Sequence, residues 1–410
     1  MRVIFLVVFI INLSFASLIS SGYDTKDLEV LRSLDIDDSF LKERAFLSMK
    51  ESFFKDNKRE LFLKKLNDAY IFVPIIKDMI KEAKIPEAFL YLAMAESNFS
   101  IKAYSKKRAS GLWQFMPRTA KGFGLKINSY VDERRDPIKS TKIAIKYLKY
   151  LHKMFDKWYL AAIAYNCGEG RLRKAIRLAK STDLKVLLDS KKKYLPKESR
   201  LYIRKILSLA IMSNKTNFLL LDNLEHLLNR GSIYPISTVT LKGGVHLSDV
   251  ASSMNISLRE IRKLNKHLKN DFLPPYEKRY DIYIPYNRLA LFKANFKERN
   301  VKFLTHIVKK GDSLYKIGKN YRVNYRLIKD MNKLKSNNLK LGRTLLIPIP
   351  KRVTKSRKKP VLDKNIYTIQ SGDTLDRISK VFKISIKDLK RVNNLTSNII
   401  KVGDKIVIPN

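Results

Sequence analysis

The stretch YLAMAESNFS (91–100) places one carboxylate, Glu96, at the end of an apolar run. Phe89, Leu92 and Ala93 precede it at helical spacing, so the carboxylate shares a helix stripe with residues typical of a core. An ionised carboxylate is costly to bury alone, whereas a carboxyl in an apolar setting keeps its proton near neutral pH, which suits a general acid. Taken by itself, the stretch favours the ordinary alternative, a glutamate exposed at a helix end.

Three downstream segments carry residues that a plain helical bundle would not choose. They read SKKRASGLWQFMP (105–117), AYNCGEG (164–170) and YLPKESRLY (194–202). Gln114 stands in an apolar part of the first segment and needs hydrogen-bond partners if it is buried. Asn166 comes just before two glycines, which let the backbone approach a ligand closely. Amide side chains suit sugar hydroxyls and N-acetyl groups because each has a donor and an acceptor.

These segments offer no second acid with a claim comparable to that of Glu96. Ordinary glycosidases use two carboxylates, the second as nucleophile or as the base that activates water. Glu169 stands between two glycines and is expected to be exposed, and Glu198 is expected to orient its loop. The residues therefore indicate a site with a single acid.

The elements that would position these residues form a strongly helical block at residues 67–215. Apolar positions recur at helical spacing in the runs Ile71–Ala83, Glu87–Ser97, Ser140–Phe155, Tyr159–Tyr165, Arg171–Ala179 and Ser199–Met212. Few alternating β-branched runs interrupt them, which predicts an all-α globular domain. Residues 17–66 are charged, carry no readable motif and are predicted to form a helical N-terminal extension.

A repeat follows the helical block, with one copy at 305–350 and another at 366–409. The copies share residues at identical internal spacing: Gly311, Leu314, Asn332 and Pro348 match Gly372, Leu375, Asn393 and Pro409. Each copy predicts a βααβ unit in which Asp312 or Asp373 caps the first helix and Asn324 or Ser385 starts the second. The predicted strands are His306–Val308 with Thr344–Ile347, and Tyr367–Ile369 with Lys405–Ile408.

A third, degenerate copy is predicted at 239–285. It keeps the spacing from Leu247 to Asn265 and a capping box at Ser257 and Glu260, but it has Val245 where the other copies have aspartate. A sugar-binding role and a spacer role both stay open for it. Residues 351–365 are basic and sparsely apolar, which predicts a linker, and linked weak binding sites gain avidity.

The N-terminus predicts export. Arg2 precedes an apolar run, and Ser14 and Ala16 supply the small residues of a cleavage site, so residues 1–16 have the layout of a signal peptide. The run is short for a membrane span, although an uncleaved anchor is the alternative. Cys167 is the only cysteine, so neither an intrachain disulfide nor a lipidated N-terminal cysteine is expected. The chain is predicted to be an exported protein of the periplasm or envelope of a Gram-negative-type bacterium, and not a lipoprotein.

The composition adds a strong positive charge. A chain of 410 residues suggests about two to four domains, and its net charge of +45 implies attraction to polyanions. The lysines are scattered and no aromatic-basic motif appears, which argues against a nucleic-acid partner. Peripheral association with a membrane or with anionic envelope polymers stays open, as does a general lysine bias of the genome. The pattern calls for no metal and no cofactor.

The two strong repeats resemble the LysM family, which binds polymers that contain N-acetylglucosamine, such as peptidoglycan and chitin. The resemblance rests on G-D-[ST]-L, the later asparagine and the closing I-P, and it spans both copies. It implies sugar-binding grooves lined at two equivalent places: Gly311, Asp312 and Leu314, and Gly372, Asp373 and Leu375.

The helical block resembles the lytic transglycosylases that have a goose-lysozyme-like catalytic domain. The matching residues are Glu96, Ser97, Ser105, Gly111, Leu112, Gln114, Met116, Ala164, Tyr165, Asn166, Gly168, Gly170, Pro196, Glu198, Ser199 and Tyr202. The resemblance implies that Glu96 is the catalytic residue. It also implies a set of substrate-binding residues, which comprises Ser105, Gln114, Met116, Tyr165, Asn166 and Tyr202.

The resemblance implies a peptidoglycan-cleaving lyase. In that family the C6 hydroxyl of muramic acid attacks C1, a 1,6-anhydro product forms, and one glutamate serves as acid and then as base. We therefore expect a multidomain protein with an all-α lysozyme-like catalytic domain followed by small βααβ LysM modules, whose partner is the peptidoglycan glycan strand. The alternatives are a hydrolase on the same fold, a scaffold that has lost activity and a nucleic-acid binder. Oligomeric state, partner proteins and the choice between exo and endo cleavage stay open.

Overall fold

The computed structural model describes residues 24–214, 235–298, 304–348, 365–369, 373–382, 384–395, 397–400 and 403–408. The predicted signal peptide at 1–16, the linker residues 351–364 and Gly372 lie outside the described residues. The described part contains a helical domain up to residue 214 and three small two-stranded units after it. The predicted fold class, an all-α domain followed by βααβ modules, is confirmed.

The helical domain is built from eleven α-helices within residues 24–214. They are α1 (Thr25–Ser33), α2 (Arg44–Phe54), α3 (Asp56–Asp68), α4 (Val73–Glu82), α5 (Phe89–Ser97), α6 (Pro117–Gly122), α7 (Pro137–Phe155), α8 (Trp158–Cys167), α9 (Glu169–Ala179), α10 (Leu184–Leu187) and α11 (Lys197–Asn214). Short 3-10 helices lie at Asp38–Lys42 and Glu133–Arg135. None of the helices in the described residues is long and apolar enough to cross a membrane.

The N-terminal helices belong to the same core as the rest of the helical domain. Leu31 and Phe46 are fully buried in the cluster that also contains the apolar faces of α5, α8 and α11. Glu43, the N-cap of α2, pairs with Arg204 of α11 at 2.9 Å. Because Leu31 and Phe46 are part of this core and the ion pair is largely buried, the predicted extension packs into the helical domain.

The end of α5 is fixed by several local contacts. The helix ends at Asn98, which adopts the left-handed conformation and donates its N–H to the Met94 carbonyl oxygen at 2.8 Å. The next residue, Phe99, also has a positive φ of 58° although its side chain is buried. Ser97 Oγ donates to the Leu112 carbonyl oxygen at 2.7 Å, which ties the last turn of α5 to the segment at 105–117.

Each of the three C-terminal units is a βααβ module. The first module contains β1 (Ile236–Lys242), α12 (Leu247–Ser253), α13 (Leu258–Leu264), β2 (Arg279–Pro285) and the additional α14 (Leu289–Asn295). The second contains β3 (Leu304–Ile307), α15 (Leu314–Tyr321), α16 (Tyr325–Met331) and β4 (Thr344–Ile347). The third contains β5 (Asn365–Thr368), α17 (Leu375–Phe382), α18 (Ile386–Val392) and β6 (Lys405–Ile408). In each module the two strands pair antiparallel, with Ile236 opposite Pro285, Leu304 opposite Ile347 and Asn365 opposite Ile408.

The repeated asparagine has the same structural role in all three modules. In the second module, Asn332 Nδ2 donates to the carbonyl oxygens of Ile328 and Leu346, and its Oδ1 accepts the Leu346 N–H. Asn265 and Asn393 make the equivalent bonds in the other modules. The asparagine therefore joins the second helix to the closing strand, which explains why it recurs even in the degenerate copy.

The prediction that Asp312 and Asp373 cap the first helices is wrong. Ser313 caps α15 by accepting the Lys316 N–H, and Thr374 Oγ1 accepts the Arg377 N–H at the start of α17. The aspartates come one residue too early for this role and instead contact the first strand of their own module. The predicted caps of the second helices, Asn324, Ser385 and the Ser257–Glu260 capping box, are confirmed.

The modules pack against the helical domain. Tyr130, in the loop after α6, is fully buried and donates to the Leu327 carbonyl oxygen of the second module at 2.7 Å. Arg377 of the third module donates to Tyr70 Oη at 2.8 Å, near the C-terminal end of α3. In this arrangement the described parts of all three modules lie against other parts of the chain.

Candidate active site

Glu96 lies in the last turn of α5 and is partly buried. Tyr202 of α11 donates from its hydroxyl to Glu96 Oε1 at 2.5 Å. Burial raises the pKa of Glu96 to about 7, although the Tyr202 hydrogen bond and the positive charge of Lys205 oppose the increase. The carboxyl therefore holds its proton close to neutral pH, as a general acid requires.

Lys205 is a neighbour of Glu96 that the sequence did not single out. It lies one turn after Tyr202 on α11, and its Nζ donates to the Ala95 carbonyl oxygen at 2.7 Å. Burial lowers the pKa of Lys205, and the charge of Glu96 opposes that decrease. A lysine three residues after the tyrosine, on an otherwise apolar helix face, is the signal that could have identified it.

The segment at 105–117 is held in shape by Gly111. This glycine has a φ of +81°, and a Cβ at this position would lie 1.8 Å from the Arg134 carbonyl oxygen. Gln114 also has a positive φ, and its Nε2 donates to the Gly111 carbonyl oxygen at 2.8 Å. Trp113 is fully buried and donates from Nε1 to Thr141 Oγ1 at 2.8 Å. The backbone of the segment is therefore strained and strongly anchored.

Tyr165 connects α8 with the same segment. Its hydroxyl donates to the Trp113 carbonyl oxygen at 2.7 Å, and its ring lies against Phe115 and Tyr147. Burial raises the pKa of Tyr165 well above its ordinary value, and the negative charge of Glu96 raises it further. Tyr165 is thus a neutral group close enough to Glu96 to experience its charge.

Asn166 contacts the start of α11, because its Oδ1 accepts the Ser199 hydroxyl at 2.7 Å. The adjacent Glu198 is exposed in the first turn of that helix, and its negative charge contributes to the raised pKa of Glu96. Glu169, which was expected to be exposed, is partly buried in the first turn of α9, where a negative charge is favourable.

Ser105 and Met116 lie at the two ends of the segment. Ser105 Oγ accepts the Ala109 N–H at 3.0 Å and the Ser105 N–H donates back to the Ala109 carbonyl oxygen, so this serine closes a tight loop. Met116 is 44% exposed just before α6. Among the hydrogen bonds of the described residues, none joins Ser105 to Glu96.

The structure therefore brings Glu96 and Tyr202 into direct contact, and Tyr165 and Glu198 within reach of its charge. Gln114 and Asn166 instead satisfy part of their hydrogen-bonding capacity within the protein. Within the described residues, no cluster of three or more His, Cys, Asp or Glu side chains could hold a metal ion.

In the LysM-like repeats, both aspartates contact the first strand of their own module, and Asp312 also stabilises the turn that leads into α15. Asp312 Oδ2 accepts the Lys309 N–H at 2.8 Å and lies 2.8 Å from His306 Nε2; the Lys309 bond and His306 lower the pKa of Asp312. Asp373 accepts the Tyr367 hydroxyl at 2.8 Å and pairs with Arg377 at 3.2 Å. Histidine and tyrosine occupy the same place in the two copies, six residues before the aspartate.

The other predicted groove residues differ in exposure. Leu314 and Leu375 are buried in the cores of their modules, whereas Gly311 is exposed with a φ of +88° and open space around it. Tyr315, in the first helix, is 68% exposed beside this turn. In the second module, the exposed surface at this turn is therefore formed by the backbone around Gly311 and by Tyr315, whereas Leu314 belongs to the core.

Comparison with known families identifies the helical domain. Residues 74–188 match the transglycosylase SLT domain. The helical domain therefore contains a transglycosylase SLT domain. Residues 306–348 and 367–409 match the LysM domain, and residues 236–300 match the LysM-like domain of the lytic transglycosylase MltD. The degenerate repeat therefore has a family of its own.

Similar proteins agree with this assignment. The chain is 29% identical over 353 residues to membrane-bound lytic murein transglycosylase D of Escherichia coli. The match covers 81% of this chain and 75% of that protein. It is 34% identical over 101 residues to the cell wall-binding protein YocH of Bacillus subtilis, covering 25% and 32%. The solved structure of the lytic transglycosylase Slt of Pseudomonas aeruginosa is 25% identical, and the match covers 35% of this chain and 24% of that one with a TM-score of 0.29.

The enzyme is a peptidoglycan lytic transglycosylase, and its LysM modules bind the cell wall. This assignment replaces the alternative of a scaffold that has lost activity.

Proposed function

We propose that this lytic transglycosylase cleaves the MurNAc-β-1,4-GlcNAc bond without water and leaves 1,6-anhydro-MurNAc ends. The observation that supports the proposal is the state of Glu96, whose pKa is raised to about 7 by burial and whose hydrogen-bond partner is Tyr202 and not a second acid. A neutral carboxyl can donate a proton to the glycosidic oxygen, whereas a two-carboxylate glycosidase needs an ionised partner at close range.

The proposed reaction returns the enzyme to its starting state. Glu96 protonates the leaving oxygen as the bond to C1 of muramic acid breaks. The C6 hydroxyl of the same sugar then attacks C1, and its proton passes to the Glu96 carboxylate. One carbon–oxygen bond breaks, another forms inside the same sugar, and no water is consumed.

The neighbouring residues have supporting roles in this proposal. Tyr202 stabilises the carboxylate form of Glu96 between the two steps, because its hydroxyl already donates to Oε1. We assign contacts with the N-acetyl group and the oxocarbenium-like transition state to the predicted substrate-binding residues Ser105, Gln114, Met116, Tyr165 and Asn166. Gln114 and Asn166 can contribute the amide atoms that their internal hydrogen bonds leave free.

The LysM modules would hold the enzyme on the glycan strands. We place their contacts at Gly311–Leu314, next to the exposed Tyr315, and at the matching residues 372–375 of the last module. We also propose that the protein acts in the cell envelope, since the predicted signal peptide and the peptidoglycan substrate both favour an exported enzyme. Fractionation of cells and mass measurement of the mature N-terminus test export, cleavage after Ala16 and the absence of a lipid.

Hydrolysis is the second candidate, and one observation favours it: Glu198 is close enough for its charge to raise the pKa of Glu96. The deciding experiment digests purified peptidoglycan and weighs the released muropeptides. Anhydro ends are lighter than reducing ends by one water. We expect anhydro ends from the wild type and from Glu198→Gln, and no release from Glu96→Gln. Reducing ends that disappear in Glu198→Gln would replace the proposal with a two-carboxylate hydrolase.

A further inference from the structure

The loop after α6 joins the SLT domain to the first module through main-chain hydrogen bonds. We call residues 127–136 the bridging segment. The Asp132 N–H donates to the His267 carbonyl oxygen, and the Lys269 N–H donates to the Tyr130 carbonyl oxygen, each at 2.8 Å. Val131 and Leu268 thereby form an antiparallel bridge. Such pairing fixes the register between two domains, in contrast to the loose attachment that a flexible linker gives.

Two buried tyrosines of β2 extend this junction. Tyr280 Oη donates to Glu133 Oε1 at 2.9 Å, and Tyr283 Oη donates to Asp136 Oδ1 at 2.6 Å. All four residues are buried, and burial raises the pKa of both tyrosines far above the ordinary value. Lys139 completes the cluster, because it pairs with Glu133 at 2.7 Å and its Nζ lies 3.9 Å from the centre of the Tyr280 ring.

The other side of the bridging segment holds the catalytic segment at 105–117. Arg134 is buried, and its Nη1 donates to the carbonyl oxygens of Arg108 at 2.6 Å and Phe115 at 3.0 Å. Arg135 Nε donates to Ser110 Oγ at 3.1 Å. The Arg134 carbonyl oxygen occupies the space that a side chain at Gly111 would need.

A continuous set of buried contacts therefore runs from the first module to the segment that carries Gln114. The side chains that contact Glu96 and its neighbour Ala95 do not come from this set, because Tyr202 and Lys205 belong to α11. The first module also lacks the aspartate that contacts the first strand in the second and third modules. Val245 replaces it and is buried in the core that this module shares with the second one.

We propose that the module at 236–298 is a structural part of the catalytic unit, and that Tyr280 and Tyr283 are positioning residues for the transglycosylase reaction. They act through Glu133 and Asp136 on the bridging segment, which sets the conformation of residues 105–117. Because a positioned group must be held within a fraction of an ångström, loosening this junction lowers turnover. The proposal concerns the family activity and does not depend on whether the product is anhydro or reducing.

The test uses the full chain carrying Tyr280→Phe and Tyr283→Phe, separately and together. Each change removes one buried hydrogen bond and keeps the ring. We expect the double variant to lose about tenfold in kcat on soluble glycan fragments, counted as total bonds cleaved. The pH at which activity falls on the alkaline side should stay constant, because it reports Glu96. Tyr321→Phe, which removes a hydroxyl that contacts His306 inside the second module, is the matched control and should keep full kcat.

Fluorescence separates positioning from general damage. The chain has two tryptophans, and Trp113 lies in the catalytic segment, so a Trp158→Phe background leaves a single reporter there. We expect its emission to shift to the red in the double variant, since loosening of the segment admits water. If circular dichroism shows that the double variant does not fold, Tyr280→Phe alone serves as the test variant. In that variant Glu133 still has its ion pair with Lys139 and its hydrogen bond from the Lys126 N–H, so we expect it to fold.

Two outcomes overturn the proposal. The first is full kcat with unchanged Trp113 emission in the folded variants. The second is weaker binding to insoluble peptidoglycan with unchanged turnover on soluble fragments, which would make the module a sugar-binding repeat.

Discussion

Replacement of Glu96 by glutamine should stabilise the protein at alkaline pH and leave its stability unchanged in acid. The physical reason is the carboxyl's pKa, which burial raises from 4.5 to about 7. The folded protein therefore binds the proton more tightly than the unfolded chain does. Between these two values the unfolded chain loses its proton first, so the stability of the folded state falls as the pH rises. Above pH 7 the full cost of burying the ionised group is present.

The magnitude follows from the shift. At about 1.4 kcal/mol per pH unit, the change in pKa corresponds to a loss of roughly 3 kcal/mol between pH 4.5 and pH 7. Glutamine cannot ionise, yet its carbonyl oxygen can still accept the Tyr202 hydroxyl. The difference in the free energy of unfolding between Glu96→Gln and wild type should therefore be near zero at pH 4.5 and about 3 kcal/mol in favour of the variant at pH 8.

Urea unfolding at pH 4.5, 6, 7 and 8 measures this difference, and tryptophan emission reports the correct domain because Trp113 and Trp158 both lie in the helical part. Glu51→Gln, an exposed change on α2, is the control and should show no such pH dependence. A difference that is the same at every pH, or a variant less stable than wild type at pH 8, would refute the idea that burial holds the proton on Glu96.

Four further predictions follow from the same contacts. Tyr202→Phe removes a hydrogen bond that lowers the pKa of Glu96, so the alkaline fall in activity should move to higher pH while kcat decreases; an unchanged pH profile would contradict this. Gly111→Ala should destabilise the protein by about 3 kcal/mol or prevent folding, whereas Gly124→Ala, which also has positive φ but open space, should cost about 1 kcal/mol in urea unfolding. Burial lowers the pKa of His267 below its ordinary value of 6.5. The unfolded chain then binds the proton more readily than the folded protein, so the free energy of unfolding falls as the pH drops below that value. His267→Asn should reduce the difference in the free energy of unfolding between pH 5 and pH 7, measured by urea titration. Tyr315→Ala should weaken sedimentation with insoluble peptidoglycan several-fold and leave soluble turnover intact. The control Leu178→Ala, another exposed apolar truncation, should change neither sedimentation nor turnover.

Local patterns predicted the elements well. The helical runs correspond to α4, α5, α7, α8, α9 and α11, and the closing strands Thr344–Ile347 and Lys405–Ile408 have the predicted bounds. The second-helix caps were also predicted, because capping depends on residues two or three positions apart. The prediction that Asp312 caps α15 was wrong by one residue, since the cap is Ser313. Asp312 instead contacts His306 of β3, and the local pattern does not contain that contact.

The site was predicted only as a set of residues. Glu96, Gln114 and Asn166 stood out because polar side chains of these types are unusual next to apolar runs, and Tyr202 followed from the resemblance to the transglycosylases. Their partners could not be read from spacing, since the bond from Tyr202 to Glu96 spans 106 positions of the chain and the one from Lys205 to Ala95 spans 110. The proton affinity of Glu96 depends on these long-range neighbours and on burial, neither of which a local pattern contains.

The prediction and the structure differ most at the degenerate repeat. Its sequence predicted a βααβ unit and left its role open between sugar binding and a spacer. The tertiary structure places Tyr280 and Tyr283 against Glu133 and Asp136, with 147 positions between the partners in each pair. Periodicity and capping act over a few residues, so the sequence alone predicts individual helices and strands. Contacts between domains depend on how those elements pack in the folded chain. Only the tertiary structure therefore shows that this module contacts the bridging segment, which in turn contacts residues 105–117.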